Sequence, residues 1–216
     1  MGTPSVFVRL AGCPMRCSWC DTRYAWDFAA GIDLEPARII EEVRKWSCTH
    51  VVLTGGEPMV GPDLTPRPGL VDLTHRLKGL GRHITIETAG FLFVPDLACD
   101  LMSISPKLSN AVPARPERAE LHKRSTSDCR IVRRLVDAYP YQLKFVVDSA
   151  TDLDEIERTL ATLGDIDRSR VILMPQAATR EALIEKSPVV AAACEKAGLR
   201  FGQRLHILLW DNQRRR

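Results

Sequence analysis

Cys13, Cys17 and Cys20 stand in the run GCPMRCSWCD, with three residues between the first pair and two between the second. Three thiols in so short a stretch suit an iron–sulfur cluster, and their number is the informative part. A four-iron cluster is ordinarily held by four Cys thiolates, so a loop that brings three leaves one iron open to a small-molecule ligand. An open iron means chemistry rather than scaffolding. A zinc knuckle that finds its fourth ligand elsewhere is the competing reading. Zinc sites usually come as two Cys pairs or as a Cys pair with a His pair, and no paired His follows here.

Further along, Thr54-Gly55-Gly56-Glu57-Pro58 joins two glycines, which let backbone come close to a ligand, to a carboxylate suited to an ammonium group. An ordinary strand-to-loop turn uses the same residues. Ser105 and Lys107 offer a hydroxyl and a cation to the ribose or carboxylate of the same ligand, and Gln176 a further polar contact, although each also serves as plain turn chemistry. Asp21 and Thr22 directly follow the last cysteine of the run. A Thr hydroxyl is an acceptable partner for Mg2+, which keeps waters and takes oxygens from an anionic substrate; a capping pair that ends the loop is the alternative. Arg9 sits close to the thiols on an apolar run, where a cation is costly unless it meets a substrate carboxylate or a salt-bridge partner. His206, in RLHILLWDN, reads as a core histidine on a final strand or as a binding residue.

The elements that must position these residues alternate. Apolar, β-branched runs at 5–10, 50–53, 83–87, 101–104, 142–147 and 171–174 predict buried strands. Helical spacing follows Pro36 (Ile39, Val43, Trp46), runs through Leu70, Leu73, Leu77 and Leu80 to Gly81, and recurs over 151–163. A last helix is expected over 188–197, capped by Ser187 and stopped by Gly198. Six strand–helix units predict an α/β fold, a parallel sheet with helices outside, open or partly closed as a barrel. In such folds ligands collect at the carboxyl ends of the strands, and the motifs above all fall there.

The chain has 216 residues, 45% hydrophobic and 26% charged, which suits a single domain over 1–216. A net charge of +3 is too small to argue for nucleic acid, and the arginines of 115–134 and 214–216 read as solvated surface. Seven cysteines without a leader or a long apolar span suit a reduced cytoplasm and no membrane, with Cys48, Cys99, Cys129 and Cys194 as plain thiols. The stretch 108–128, polar and Pro-rich, is expected to be poorly ordered surface rather than a lid.

Taken together, FVRLAGCPMRCSWCDTRYAW, TGGEP, ETAG, SISPKLSN, LKFVV and RLHILLWDN closely resemble the 7-carboxy-7-deazaguanine synthase family of deazapurine (queuosine) biosynthesis, within the radical S-adenosylmethionine superfamily. The cysteine spacing carries the superfamily alone, whereas CDT, SPKLSN and the LH-x-x-LW ending carry the family. The resemblance implies an abridged, partial (β/α)6 TIM-like barrel acting as a homodimer. It implies a 4Fe-4S cluster, S-adenosylmethionine and Mg2+, an electron donor such as flavodoxin or ferredoxin, and conversion of 6-carboxy-5,6,7,8-tetrahydropterin into 7-carboxy-7-deazaguanine and ammonia. By matching position, Cys13, Cys17 and Cys20 ligate the cluster and Thr22 touches Mg2+. Arg9 pairs with the substrate carboxylate, and Glu87 and His206 contact the pterin ring. Gly55, Gly56, Glu57, Ser105, Lys107 and Gln176 line the S-adenosylmethionine. Family members usually begin with a further strand and a QGEG-like segment, and this chain opens at Met1-Gly2-Thr3-Pro4-Ser5, so those substrate contacts are expected to be missing from it. Two other readings stay open: an activase that abstracts hydrogen from a glycine of a partner protein, and a non-catalytic iron–sulfur or zinc module recruited to RNA by its arginines.

Overall fold

Val, Ile and Leu in runs too brief for a buried helix form strands. These are β1 (Ser5–Leu10), β2 (His50–Gly55), β3 (His83–Thr88), β4 (Leu101–Ile104), β5 (Tyr141–Val147), β6 (Val171–Pro175) and a two-residue β7 (Arg200–Phe201). The structure, a computed structural model, describes residues 2–211 and 213, with residues 124–127 described by their backbone alone. All seven strands are parallel in one sheet, and their spatial order follows the chain from β1 to β7. Parallel neighbours need crossovers. These are α1 (Pro36–Arg44), α2 (Leu70–Gly79), the pair α3 (Pro116–Ser127) and α4 (Cys129–Ala138), α5 (Thr151–Leu163) and α6 (Arg180–Ala197), while α7 (Leu205–Trp210) follows β7; β3 and β4 are joined without a helix. The result is an open arc of a barrel.

The two faces of this sheet differ in kind. Leu53, Ile86, Ile104, Phe145 and Leu173 point to the helix side and pack with Val43, Leu77, Leu135 and Ile156 into one core. The intervening residues, Thr54, Glu87, Ser103, Gln142 and Lys144, fall on the other face, because side chains alternate along a strand. A closed TIM barrel fills that interior with branched apolar side chains. Here polar side chains stand among the apolar Val52, Val146 and Ile172, so the interior is partly polar.

Four expectations need correction. RLHILLWDN is the helix α7 and not a returning strand: β7 already ends the sheet, and Ile207 instead packs with Ala177 and Leu183 in a small separate cluster. Asn212 of that motif and the arginines of 214–216 lie outside the described residues. The stretch 108–128 carries regular structure and is not a bare surface excursion: a 3-10 turn at Ser109–Ala111 is followed by α3, started by Pro116 in its first turn. Its low apolar content reflects a surface helix of whose described side chains only His122 is buried. The last long helix begins at Arg180, capped by the Thr179 hydroxyl accepting from Ala182 N–H, so Ser187 and Pro188 are internal. Burial of Leu183, Val190 and Cys194 outweighs the interior proline. Trp46 lies past the end of α1 and is 62% exposed. Among the described residues no helix is long and apolar enough to cross a membrane.

Candidate active site

The loop after β1 carries the three thiols and is tied down from several sides. Gly12 and Cys13 donate their N–H groups to the carbonyls of Ala25 and Trp26, each at 2.9 Å, and Ser18 N–H donates to Ala111 at 2.9 Å. Arg16 adopts a left-handed φ of 49°, which turns the chain between Cys13 and Cys17, and its guanidinium pairs with Asp27. Cys13, Cys17 and Cys20 collect with Met15, Trp19, Ala89, Phe91 and Ala111 in one apolar cluster apart from the main core. Burial pushes the Cys17 thiol up to about 12, partly offset by the Lys107 cation, and the nearby Cys13 and Cys20 add to the rise. His122 Nε2 lies 3.7 Å from Cys17 Sγ, and Thr22 N–H donates to Cys20 Sγ at 3.4 Å.

This donor set fits an iron–sulfur cluster. Three soft thiols share one loop, and burial makes Cys13 and Cys17 costly to ionise unless a positive group is shared there, which iron supplies. Among the described residues no three His, Cys, Asp or Glu stand close enough to hold a single metal ion. The other cysteines take no part: Cys99 and Cys194 donate to the carbonyls of Ile84 and Arg200, and none of the seven is in a disulfide.

Gly55 and Gly56 are explained by chain packing. Gly55 has a φ of 149°, and a Cβ there would meet Leu10 O at 2.0 Å; at Gly56 it would meet Gly12 O at 2.2 Å. The glycines make room for the thiol loop itself, which hydrogen-bonds back through Gly56 N–H to Leu10 O and Glu57 N–H to Gly12 O. Glu57 is 1% exposed, and its two oxygens accept from Thr88 Oγ1 and Ala89 N–H, both at 2.7 Å. Burial raises its pKa against these hydrogen bonds. Its carboxylate therefore locks the end of β3 to the end of β2. Arg67 completes the lock by donating to Pro58 O at 2.9 Å and Ala11 O at 2.6 Å.

Lys107 folds back on Ser105, donating to its carbonyl at 2.7 Å and its hydroxyl at 2.8 Å, and stands 5.9 Å from the Trp19 ring centre. These two residues stand beside the thiols. Gln176 lies farther along the sheet edge, where its Oε1 accepts from Lys186 at 3.3 Å. Thr22 donates its hydroxyl to Asp21 at 2.7 Å, which leaves its oxygen lone pairs for a cation.

On the concave face, Lys144 Nζ lies 3.0 Å from Glu87 Oε1. Burial works to raise the Glu87 pKa, but Lys144, a hydrogen bond from Thr54 and the Arg9 charge together lower it. His206 is held below its usual range by burial, and by the nearby Arg204, Arg9 and Lys144 cations, with Glu87 opposing. Arg9, Glu87 and His206, taken from β1, β3 and α7, are thus brought within electrostatic reach of one another. Arg9 is exposed, lies over the Tyr24 ring and donates to Gly55 O at 3.4 Å, so the buried salt bridge weighed for it is not what its surroundings supply.

Several participants were not read from sequence. Lys144 was detectable as the lone charge in the apolar run of β5. Arg204, its side chain 7% exposed, ion-pairs with Asp21 across the mouth of the arc, joining the last helix to the thiol loop. Asn110 accepts from Trp19 Nε1 at 3.1 Å and donates to the buried Asp152 at 2.9 Å, bracing the loop from α5. Such long-range pairs leave no local sequence signal.

Comparison with known proteins is consistent with this geometry. Residues 8–109 match the model of the radical SAM superfamily. The chain is 39% identical to a 7-carboxy-7-deazaguanine synthase of Pyrobaculum aerophilum, over 99% of this chain and 89% of that protein. It is 37% identical to one of Rhodopirellula baltica, over 99% and 81%. The crystal structure of QueE from Escherichia coli shares the fold, with a TM-score of 0.67 at 23% identity over 94% of this chain and 86% of that one.

Proposed function

We propose that this chain, which belongs to the 7-carboxy-7-deazaguanine synthase family within the radical S-adenosylmethionine superfamily, converts 6-carboxy-5,6,7,8-tetrahydropterin into 7-carboxy-7-deazaguanine with loss of ammonia. Membership makes it an enzyme that works with a 4Fe-4S cluster and S-adenosylmethionine. When bound, that pair supplies a carbon-centred radical able to remove one hydrogen atom from a substrate C–H bond. The protein's own contribution is to hold and orient.

The observation that carries the proposal is the polar set on the concave face, Arg9, Glu87 and His206, drawn from β1, β3 and α7 to within electrostatic reach of one another. In this reading Arg9 pairs with the substrate carboxylate, and Glu87, kept ionised, accepts from ring N–H groups. His206, neutral near pH 7, gives or takes one further hydrogen bond. Contacts at both ends of a flat ring fix which C–H bond faces the radical, and orientation of this kind supplies selectivity. Thr22, its hydroxyl steered by Asp21, would hold a Mg2+ that offsets the negative charge of the substrate. Gly55, Gly56, Ser105, Lys107 and Gln176 line the cofactor, Cys13, Cys17 and Cys20 hold the cluster, and Glu57 shapes the cofactor site from behind. The enzyme acts as a cytoplasmic homodimer supplied with electrons by flavodoxin or ferredoxin.

The test is anaerobic incubation of reconstituted protein with reductant, S-adenosylmethionine and the carboxylated pterin, with products read by mass. The expected outcome is the deazapurine with release of ammonia, formed faster with Mg2+ than with a chelator. Cofactor cleavage without that product would contradict the assignment, and indifference to Mg2+ would remove Thr22 from its role.

A further inference from the structure

We propose that Lys144 is the specificity-determining cation of the concave face: it holds Glu87 in position to accept from the substrate's ring N–H groups, and with Arg9 it selects a carboxylated heterocycle over a neutral one. The inference rests on the pterin reading above and adds a residue to it.

Lys144 is the single charged side chain of β5, and its strand neighbours Leu143 and Phe145 are fully buried in the helix-side core. A Lys at such a position loses hydration and much of its rotamer freedom. What it gains is one hydrogen-bonded pair with Glu87, their side chains 19% and 34% exposed. A partly buried pair of this kind roughly breaks even against two apolar side chains, so the fold has no need of it. The pair is better explained by what it presents. Glu87 spends one oxygen on Lys144 and, as a carboxylate, retains acceptor capacity for a ligand. The groups that face Glu87 are Lys144 from β5, Thr54 from β2, Arg9 from β1 and His206 from α7. With His206 neutral, two cations outnumber one carboxylate, and the surplus suits one substrate carboxylate. Beside the pair, Gln142 donates to Ser103 Oγ at 2.9 Å, and Lys144 reaches across β4 to Glu87.

The test is equilibrium binding of 6-carboxytetrahydropterin, and of a 6-methyl analogue without the carboxylate, to cluster-loaded protein with S-adenosylmethionine and no reductant. The unaltered protein should prefer the carboxylated ligand. Lys144→Met should weaken that ligand by about tenfold and narrow the preference. Its binding should also become more sensitive to lowered pH, because Glu87 loses the cation that most opposes the effect of burial on its carboxyl. Lys144→Arg should restore affinity and the flat pH profile. If Lys144→Met fails to fold, Lys144→Gln carries the same comparison. Normal preference and an unchanged pH profile in the uncharged variant would overturn the role of Lys144. Failure of the unaltered protein to bind either pterin would instead overturn the underlying function.

Discussion

Glu57 spends its two carboxylate oxygens on Thr88 and Ala89 at the end of β3. Its carboxylate, buried and raised in pKa, keeps its proton to higher pH in the folded chain than in the unfolded one. Stability from this group is therefore full below the ordinary carboxylate range, and falls as pH rises through the raised pKa. Glu57→Gln removes the ionisation while its amide can still accept from Ala89 and donate to Thr88. Its melting temperature is expected to match the parent's near pH 5 and to equal or exceed it near pH 8. Glu57→Ala leaves Thr88 Oγ1 and Ala89 N–H without their acceptor and should cost about 1–3 kcal/mol in chemical denaturation. A Gln variant of normal stability that no longer binds S-adenosylmethionine would instead restore the direct ammonium contact.

Among the elements, the thiol loop is held by contacts that originate in β2, in the turn before α3 and in α5. Gly55→Ala would drive a Cβ into Leu10 O, at 2.0 Å with both partners backbone, so it should destabilise the protein by about 3 kcal/mol or more and release the loop. Asn110→Leu keeps the volume but leaves Asp152 and the Trp19 indole short of a partner. Thermal unfolding is expected to drop by the equivalent of about 2 kcal/mol, with lower iron retention after reconstitution. Retained iron with unchanged stability would deny Asn110 its bracing role. The strands were legible because short β-branched runs bounded by turns have one physical solution, and Leu101–Ile104 falls where the pattern put it. The ends of the chain's polar stretches were not. Pro116 begins a helix with little apolar content, and α6 tolerates Pro188 because its packing, set by distant strands, outweighs a local rule.

At the scale of the molecule, an open parallel arc does two things with one sheet. One face is spent on a continuous apolar core against the helices, and the other carries a partly polar wall that ends at the three-thiol loop. Arg204 and Asp21 close the mouth between the first and last elements, so that the groups proposed to hold substrate and those proposed to hold the cluster share one rim. The candidate site was legible in sequence where residues gather locally, as in the cysteine run, which the fold places on one loop after β1. It was not legible where it depends on strands far apart in the chain, as with Lys144 reaching Glu87. The most direct measurement is low-temperature electron paramagnetic resonance of the anaerobically reconstituted, reduced protein, with and without S-adenosylmethionine, alongside iron analysis. The expected result is about four irons per chain and a cluster signal that changes on adding S-adenosylmethionine, because one iron lacks a protein ligand. A four-iron cluster whose signal ignores S-adenosylmethionine, or zinc in place of iron, would contradict it.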